Sequence, residues 1–309
     1  MSCIANTACY VHSVSTAVPQ HFLSQQSAQA TLQESSINRR SERLLQRLTP
    51  LTGIQKRHLA ALDFQSTLGP GAGIYRSAAA QPSGPGMGAR TALFDAAAGP
   101  LVGGLLQDVP PEQLERIKTL VTISCTHAAS PGLERHVFAH AAVPHSVDRW
   151  HLGFMGCSAA LAGMRLVHRG ADPEAEALLV ACELSSLHFQ YTDRMDQMTA
   201  NLLFADGAAA MVMSSRPSEL RVVDCQSITL PEPADQMLWF AGDHGMELQL
   251  SPQLPETLGG CLPQVVGCFL DRNGLTRQAI DHWVVHPGGP QIIDSVQQAL
   301  GLPSEATQL

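Results

Sequence analysis

No stretch of this sequence is apolar for long enough to cross a bilayer. The longest such run, 150–164, is bounded by Arg149 and Arg165 and contains His151, well short of the roughly 20 residues a membrane helix needs. The N-terminus also lacks a basic segment followed by a separate apolar core, which argues against a secretory leader and for a cytoplasmic protein. The eight cysteines include no CxxC pair and follow no regular spacing, so reduced thiols are expected rather than a disulfide framework. There is no HExxH motif. His136 and His140 stand four apart in HVFAH without an obvious third ligand, so a polar helix face is preferred to a zinc site and no metal is expected. The glycines of HPGGP are not followed by the GK[ST] ending of a phosphate loop and read as turn residues. Positive charge is also scarce: 19 Lys and Arg against 27 Asp and Glu leave a net charge of −8, which disfavours nucleic acid and anionic membranes as partners.

What is present is a globular composition, 45% hydrophobic and 15% charged over 309 residues, long enough for two domains or one duplicated core. Residues 9–19 read as a strand ending at Pro19, and HFLSQQSAQATLQ as a helix. The Gly/Pro/Ser-rich stretch 68–88 reads as a loop, and TALFDAAAGPLVGGLLQDV as a helix interrupted by Gly99 and Pro100. The pattern then becomes regular. Strands are expected at 118–125, 150–155, 176–182 and 207–213, and helices at 132–141, from Cys157 onward, and at 194–203. After SSRPSE it begins again, with strands near 221–229, 246–250 and 281–285 and helices at 255–271 and 288–300. Alternating strands and helices with continuous apolar strands indicate an α/β fold whose sheet is covered on both faces. Two halves of similar plan, 1–215 and 216–309, suggest a duplication.

Two residues stand out chemically. Cys157, in GFMGCSAALAGM, follows a strand and opens a helix, so its sulfur would meet unsatisfied N–H groups and the positive end of the dipole, a setting that lowers a thiol pKa. The plainer reading is a small residue in a crowded core. His286 ends the apolar strand HWVVH, where open α/β folds place ligands, and a thiol with a distant imidazole is a common nucleophile and base pair. A histidine capping a turn explains it equally well. His282 shares the strand without a role. Residues 34–58 hold Arg39, Arg40, Arg43, Arg47, Lys56 and Arg57; this cluster suits either a solvated helix face or a phosphate-bearing ligand.

In order and separation, GFMGCSAA, ACELSSLHFQ, LLFADGAAA and HPGGPQIIDSVQQALGL resemble the type III polyketide synthases, the chalcone-synthase-like condensing enzymes of the thiolase superfamily. VSTAVPQHFLSQQ and CTHAASPG are similar to that family's opening strand and the segment before its nucleophile. The resemblance implies a thiolase-like fold of duplicated βαβαβ halves, the second incomplete, in a homodimer that condenses an acyl-CoA starter with malonyl-CoA and needs no cofactor. It implies that Cys157 accepts the acyl group and that His286 stabilises the thiolate and later the enolate. It makes Phe204 an aromatic gate and places Cys125, His188, Trp239 and Leu248 on the starter pocket. Leu248 stands where plant enzymes carry an aromatic, which suggests an aliphatic starter. Lys56 and Arg57 become candidates for CoA. The family's second oxyanion donor is an asparagine beyond the histidine, and this sequence has none after Asn273. A ketoacyl synthase III-like enzyme is a runner-up, although Pro-Gly-Gly follows His286 where that family has Gln-Ala-Asn. A non-catalytic remnant is the reading from a different class.

Overall fold

A computed structural model describes residues 8–34, 36–61, 74, 75, 78–170, 175–230 and 235–307. Of the stretch 68–88, expected to be a loop, residues 68–73, 76 and 77 lie outside these residues, and 78–86 hold neither helix nor strand. The main sheet has six strands: β1 (Cys9–Ala17), β4 (Ile117–Ile123), β5 (Asp148–Leu152), β6 (Glu176–Leu184), β7 (Asp206–Ser214) and β8 (Leu220–Val222). Their spatial order is β5-β4-β6-β7-β1-β8. β4 runs parallel to both β5 and β6, whereas β7 is antiparallel to β6 and to β1.

β6, EALLVACEL, is apolar almost throughout because both faces of the sheet are covered. Helix α3 (Met87–Gln107) lies on one face, where Phe94, Ala98, Leu101, Val102 and Leu105 pack with Leu120, Leu178, Val180 and Val212. Helix α6 (Ala159–Arg169) lies on the other, where Ala159 and Val167 pack with Val121, Ile123, Leu179 and Met213. The alternation of Leu120 and Val121 between the two clusters is the period of two expected of a strand. Gly163 brings α6 close to the sheet. A Cβ there would stand 3.2 Å from Leu179 Cδ2 and 3.3 Å from Ile123 Cδ1.

Helix α3 runs without a break through Gly99 and Pro100, contrary to the expected interruption. Its glycines are contact points for α5 (Glu134–His140). A Cβ on Gly99 would lie 3.4 Å from His136 Nδ1, and one on Gly103 3.1 Å from His140 Nδ1. Close packing there offsets the lost proline hydrogen bond and the poor helix propensity of glycine. His136 and His140 therefore serve a helix contact. His136 and the buried His127 both face Asp95 Oδ1, at 3.7 and 3.0 Å. Among the described residues no group of His, Cys, Asp or Glu is arranged to hold a metal ion, and no helix is long and apolar enough to cross a membrane.

The segment expected as a helix from His21 opens with a short strand, β2 (Phe22–Ser24), paired with β3 (Lys56–His58), before α1 (Gln25–Glu34) begins. Basic residues 39–47 fall on α2 (Arg39–Leu48), which has a capping box between Asn38 and Ser41. Helix α4 is the single turn Pro111–Leu114 and α7 spans Met195–Leu203. The second half departs most from expectation. It contributes the hairpin β9 (Met237–Gly242) and β10 (Gly245–Leu250) and helices α8 (Leu254–Arg272) and α9 (Pro290–Leu300), while β8 joins the first sheet. The strand expected over 221–229 is only these three residues. No strand forms over 281–285: Val284 is 78% exposed and Trp283 N–H reaches only Ala306 O, at 3.4 Å. A strand exists only by pairing, and among the described residues no strand pairs with this segment. Asn273 ends α8, donating to Asp224 Oδ2 and Phe269 O.

Candidate active site

Cys157 sits in a single 3-10 turn, Gly156–Ser158, between β5 and α6. The approach is conformationally costly. Phe154 has φ 56° and Gly156 φ 65°. A non-glycine residue in the left-handed region costs on the order of 1–3 kcal/mol, a kind of strain that gathers at functional turns. The turn leaves Cys157 exposed. Its thiol is raised above the ordinary value, first by desolvation against surrounding protein, then by the Glu183 carboxylate and by Cys125. This direction is opposite to the lowering expected of a helix start, and the one opposing influence is the Cys157 backbone N–H.

Glu183, near the end of β6, was not anticipated. It accepts from Cys125 N–H at 2.7 Å and from the Thr126 hydroxyl at 2.6 Å, while Thr126 Oγ1 accepts from Leu184 N–H at 3.0 Å. Burial raises the Glu183 carboxyl, and these hydrogen bonds oppose the shift. The Cys125 thiol is raised by burial and by Glu183, an effect opposed by the N–H groups of 154–156 that face its sulfur. Cys125 therefore packs against the turn that carries Cys157. An acidic residue at the end of an otherwise apolar strand was the available signal for Glu183.

The other pocket residues converge on the same loop. His188 Nε2 lies 2.9 Å from Thr126 O, and its Nδ1 lies 3.1 Å from Met246 N. A carbonyl only accepts and an amide N–H only donates, so the ring is neutral with its proton on Nε2. Burial lowers its pKa to about 4. Trp239 Nε1–H donates to Cys125 O at 3.1 Å. The indole makes edge contacts with His188 and Phe204 at centroid distances of 6.2 and 5.9 Å. Leu248 pairs with Trp239 across the hairpin, is 2% exposed, and its N–H donates to Gln197 Oε1 at 2.6 Å. Cys125, His188, Phe204, Trp239 and Leu248 thus form one wall.

His286 is placed differently. It lies exposed in the irregular segment after Ile280, where its carbonyl accepts from Gly288 N–H at 2.9 Å. Partial burial lowers its pKa, with no contribution from Cys157. Among the described residues no hydrogen bond joins the two side chains.

Arg57 is not available to a CoA phosphate. It is buried, and donates to Asn201 O at 2.7 Å, Phe204 O at 2.9 Å and Gln25 Oε1 at 3.2 Å. It holds the backbone of the expected gate from behind. Lys56 is exposed, with Nζ 5.4 Å from the Phe22 ring centroid. Asp206, two residues past Phe204, is buried with its pKa raised to about 6, although it accepts from Ser186 N–H at 2.8 Å and from Ala60 N–H at 2.5 Å. A cleft of about 490 Å³, counting its open mouth, is lined by His188, Phe204 and Trp239 together with Leu23, Leu32 and Leu59. Cys157, Cys125, Leu248 and His286 do not line it.

Residues 64–225 match the family described as FAE1/Type III polyketide synthase-like protein. Among curated proteins, the alpha-pyrone synthesis polyketide synthase-like Pks18 of Mycobacterium tuberculosis is 30% identical over 204 residues, 63% of this chain and 52% of Pks18. The chain thus spans about half the length of that relative. A 1,3,6,8-tetrahydroxynaphthalene synthase of Streptomyces griseus is 26% identical over 299 residues, 94% of this chain and 75% of that protein. The crystal structure of PKS-I from the brown alga Ectocarpus siliculosus superposes with a TM-score of 0.89 at 27% identity, covering 99% of this chain and 83% of the other.

Proposed function

This chain belongs to the FAE1/type III polyketide synthase-like family, and from that premise we propose that it is an acyltransferase condensing an acyl-CoA starter with malonyl-CoA. Cys157 is the nucleophile. Its raised thiol and the lowered imidazole of His286 favour a neutral pair, and once substrate draws the two within hydrogen-bond reach the thiol proton passes to His286 as the sulfur attacks the starter carbonyl. CoA leaves as its thiol, taking that proton back. Malonyl-CoA then loses CO2, and the electron pair of the broken bond becomes an enolate that attacks the acyl thioester and expels the Cys157 thiolate. A sulfur nucleophile suits both the first and last steps because it attacks and leaves well. The observation that carries the reading is the wall of Cys125, His188, Phe204 and Trp239 beside the strained turn that presents Cys157.

Lys56, exposed beside this region, is assigned to the CoA phosphates. We place the protein in the cytoplasm, in keeping with seven described cysteines that are all free thiols. The partner is a second copy, docked along β5. Among the described residues this strand pairs on one side only, and Trp150 on it and Phe154 and Met155 in the turn after it are 52, 60 and 48% exposed. An uncovered edge of this kind invites pairing.

The deciding experiment is acyl loading. A folded sample incubated with an acyl-CoA should gain one acyl mass on Cys157, and the C157A variant should not. The lack of a hydrogen bond between Cys157 and His286 among the described residues supports a second reading, a chain that binds CoA thioesters without turnover. Loading without malonyl-CoA decarboxylation would select it, and no loading of a folded sample would sink the enzyme reading.

A further inference from the structure

The hairpin β9–β10 carries Trp239 and Leu248, yet its turn is held from outside the pocket wall. Arg90, on the first turns of α3, is 1% exposed, and among the described residues no carboxylate lies within ion-pair distance of it. Its guanidinium donates instead to neutral oxygens: Nε to Pro85 O at 2.9 Å, and Nη1 to Tyr75 Oη at 2.8 Å, Phe189 O at 3.0 Å and Leu187 O. Leu187 and Phe189 flank His188. Nη2 is buried, with no hydrogen-bond partner among the described residues. A charge buried at this cost, with one donor unused, is an unusual way merely to fill a core.

The hairpin turn rests directly on this group. Gly245 has φ 118°, and a Cβ there would stand 3.0 Å from Arg90 Cζ and 2.8 Å from Gln190 Nε2. Gln190 Nε2 donates to His244 O at 2.8 Å and Met246 O at 3.3 Å, and Met87 N–H at the start of α3 donates to Asp243 O at 3.2 Å. Arg90 and Gln190 therefore tie together the turn bearing His188 and the turn between the strands bearing Trp239 and Leu248. We propose that Arg90 and Gln190 are positioning residues that set the separation of His188 from Trp239 and Leu248, and with it the length of starter the pocket accepts. The geometric part is independent of the proposed activity; the chain-length part rests on it.

The arrangement explains why a fork is needed. Lysine carries a single nitrogen and cannot reach Pro85 O and the oxygens flanking His188 at once, as Nε and Nη1 of Arg90 do. Release of the turn would let the hairpin drift from His188, and a displacement near 1 Å at such a wall is worth up to about 100-fold in rate.

The test uses the full chain with Trp150 and Trp283 changed to Phe, so that Trp239 is the only indole of the three in the sequence. In this background R90K and Q190L are compared for Trp239 emission, acrylamide quenching, and kcat/KM over acyl-CoA starters of increasing chain length. Expected are a red-shifted, more quenchable Trp239 in both variants and a change of about tenfold or more in the ratio of long- to short-chain kcat/KM, carried in KM for starter and not for malonyl-CoA. Where R90K fails to fold, Q190L and G245A carry the same expectation. Native emission and quenching in Q190L and G245A would overturn the clamp. Altered emission with an unchanged chain-length ratio would overturn the specificity role. Absence of turnover in the parent overturns the proposed activity alone, since the emission readout does not depend on it.

Discussion

The indole of Trp239 donates to the carbonyl of Cys125 at 3.1 Å, joining residues 114 apart in the chain. Through this bond the hairpin of the second half meets the loop after β4, and Phe204 and His188 both make edge contacts with the same indole. Trp239→Phe should therefore act on both stability and the pocket. The buried Cys125 carbonyl would lose its side-chain donor, at about 1–2 kcal/mol, read as a lower midpoint in urea. An unchanged midpoint would mean that the bond does not form in solution.

The two neighbouring cations of β3 should separate cleanly. Arg57→Met breaks a buried fan of hydrogen bonds to Asn201, Phe204 and Gln25 and should cost about 3 kcal/mol or more. Lys56→Ala should leave stability unchanged and raise KM for the CoA substrates several-fold. Denaturation curves and initial rates on the same two proteins check both halves.

Glu183→Gln removes the carboxylate that, after desolvation, raises the Cys157 thiol most. The alkylation rate of Cys157 by iodoacetamide, followed against pH, should shift its midpoint to lower pH. A shift upward would show that Glu183 acts on Cys157 through the fold of the Cys125 loop and not through its charge.

His188 and Asp206 should produce opposite pH dependences. The His188 pKa falls from 6.5 to about 4 on folding, so the unfolded chain binds more protons in that window and stability is lost as pH drops through it. The Asp206 pKa rises from 3.8 to about 6, so the folded chain binds more protons and stability is lost as pH rises through that range. Each shift is worth on the order of 3 kcal/mol, and the two largely offset between pH 4 and 6. Stability of D206N should fall steeply on acidification in that window, and stability of H188Q should fall on going from pH 4 to 6. Parallel slopes in the two variants would contradict the assignment.

The first half was largely legible from residue pattern. β6, β7 and α7 fall within two residues of their expected limits, because long apolar runs between Gly, Pro and polar breaks have few alternative folds. What sequence reasoning missed depended on partners. Residues 281–285 have strand composition and, among the described residues, no strand to pair with. Pro100 should break a helix, but α5 packs too closely against Gly99 and Gly103 for the break to appear. Among site residues that the family resemblance suggests, His188, Phe204 and Trp239 line one cleft, while Cys125 and Leu248 meet Trp239 without lining it. Glu183, Gln197 and Arg90 act on backbone groups of distant segments, and no local spacing announces such bonds.

Gly163 fixes how high α6 stands above the sheet, with the ends of Leu179 and Ile123 taking the room a side chain would need. The thiol at the head of that helix thus rides on a fixed pedestal, while the wall opposite it is a hairpin held at its tip by side chains. Changes of ligand preference can accumulate in the hairpin and its anchors without moving the sulfur.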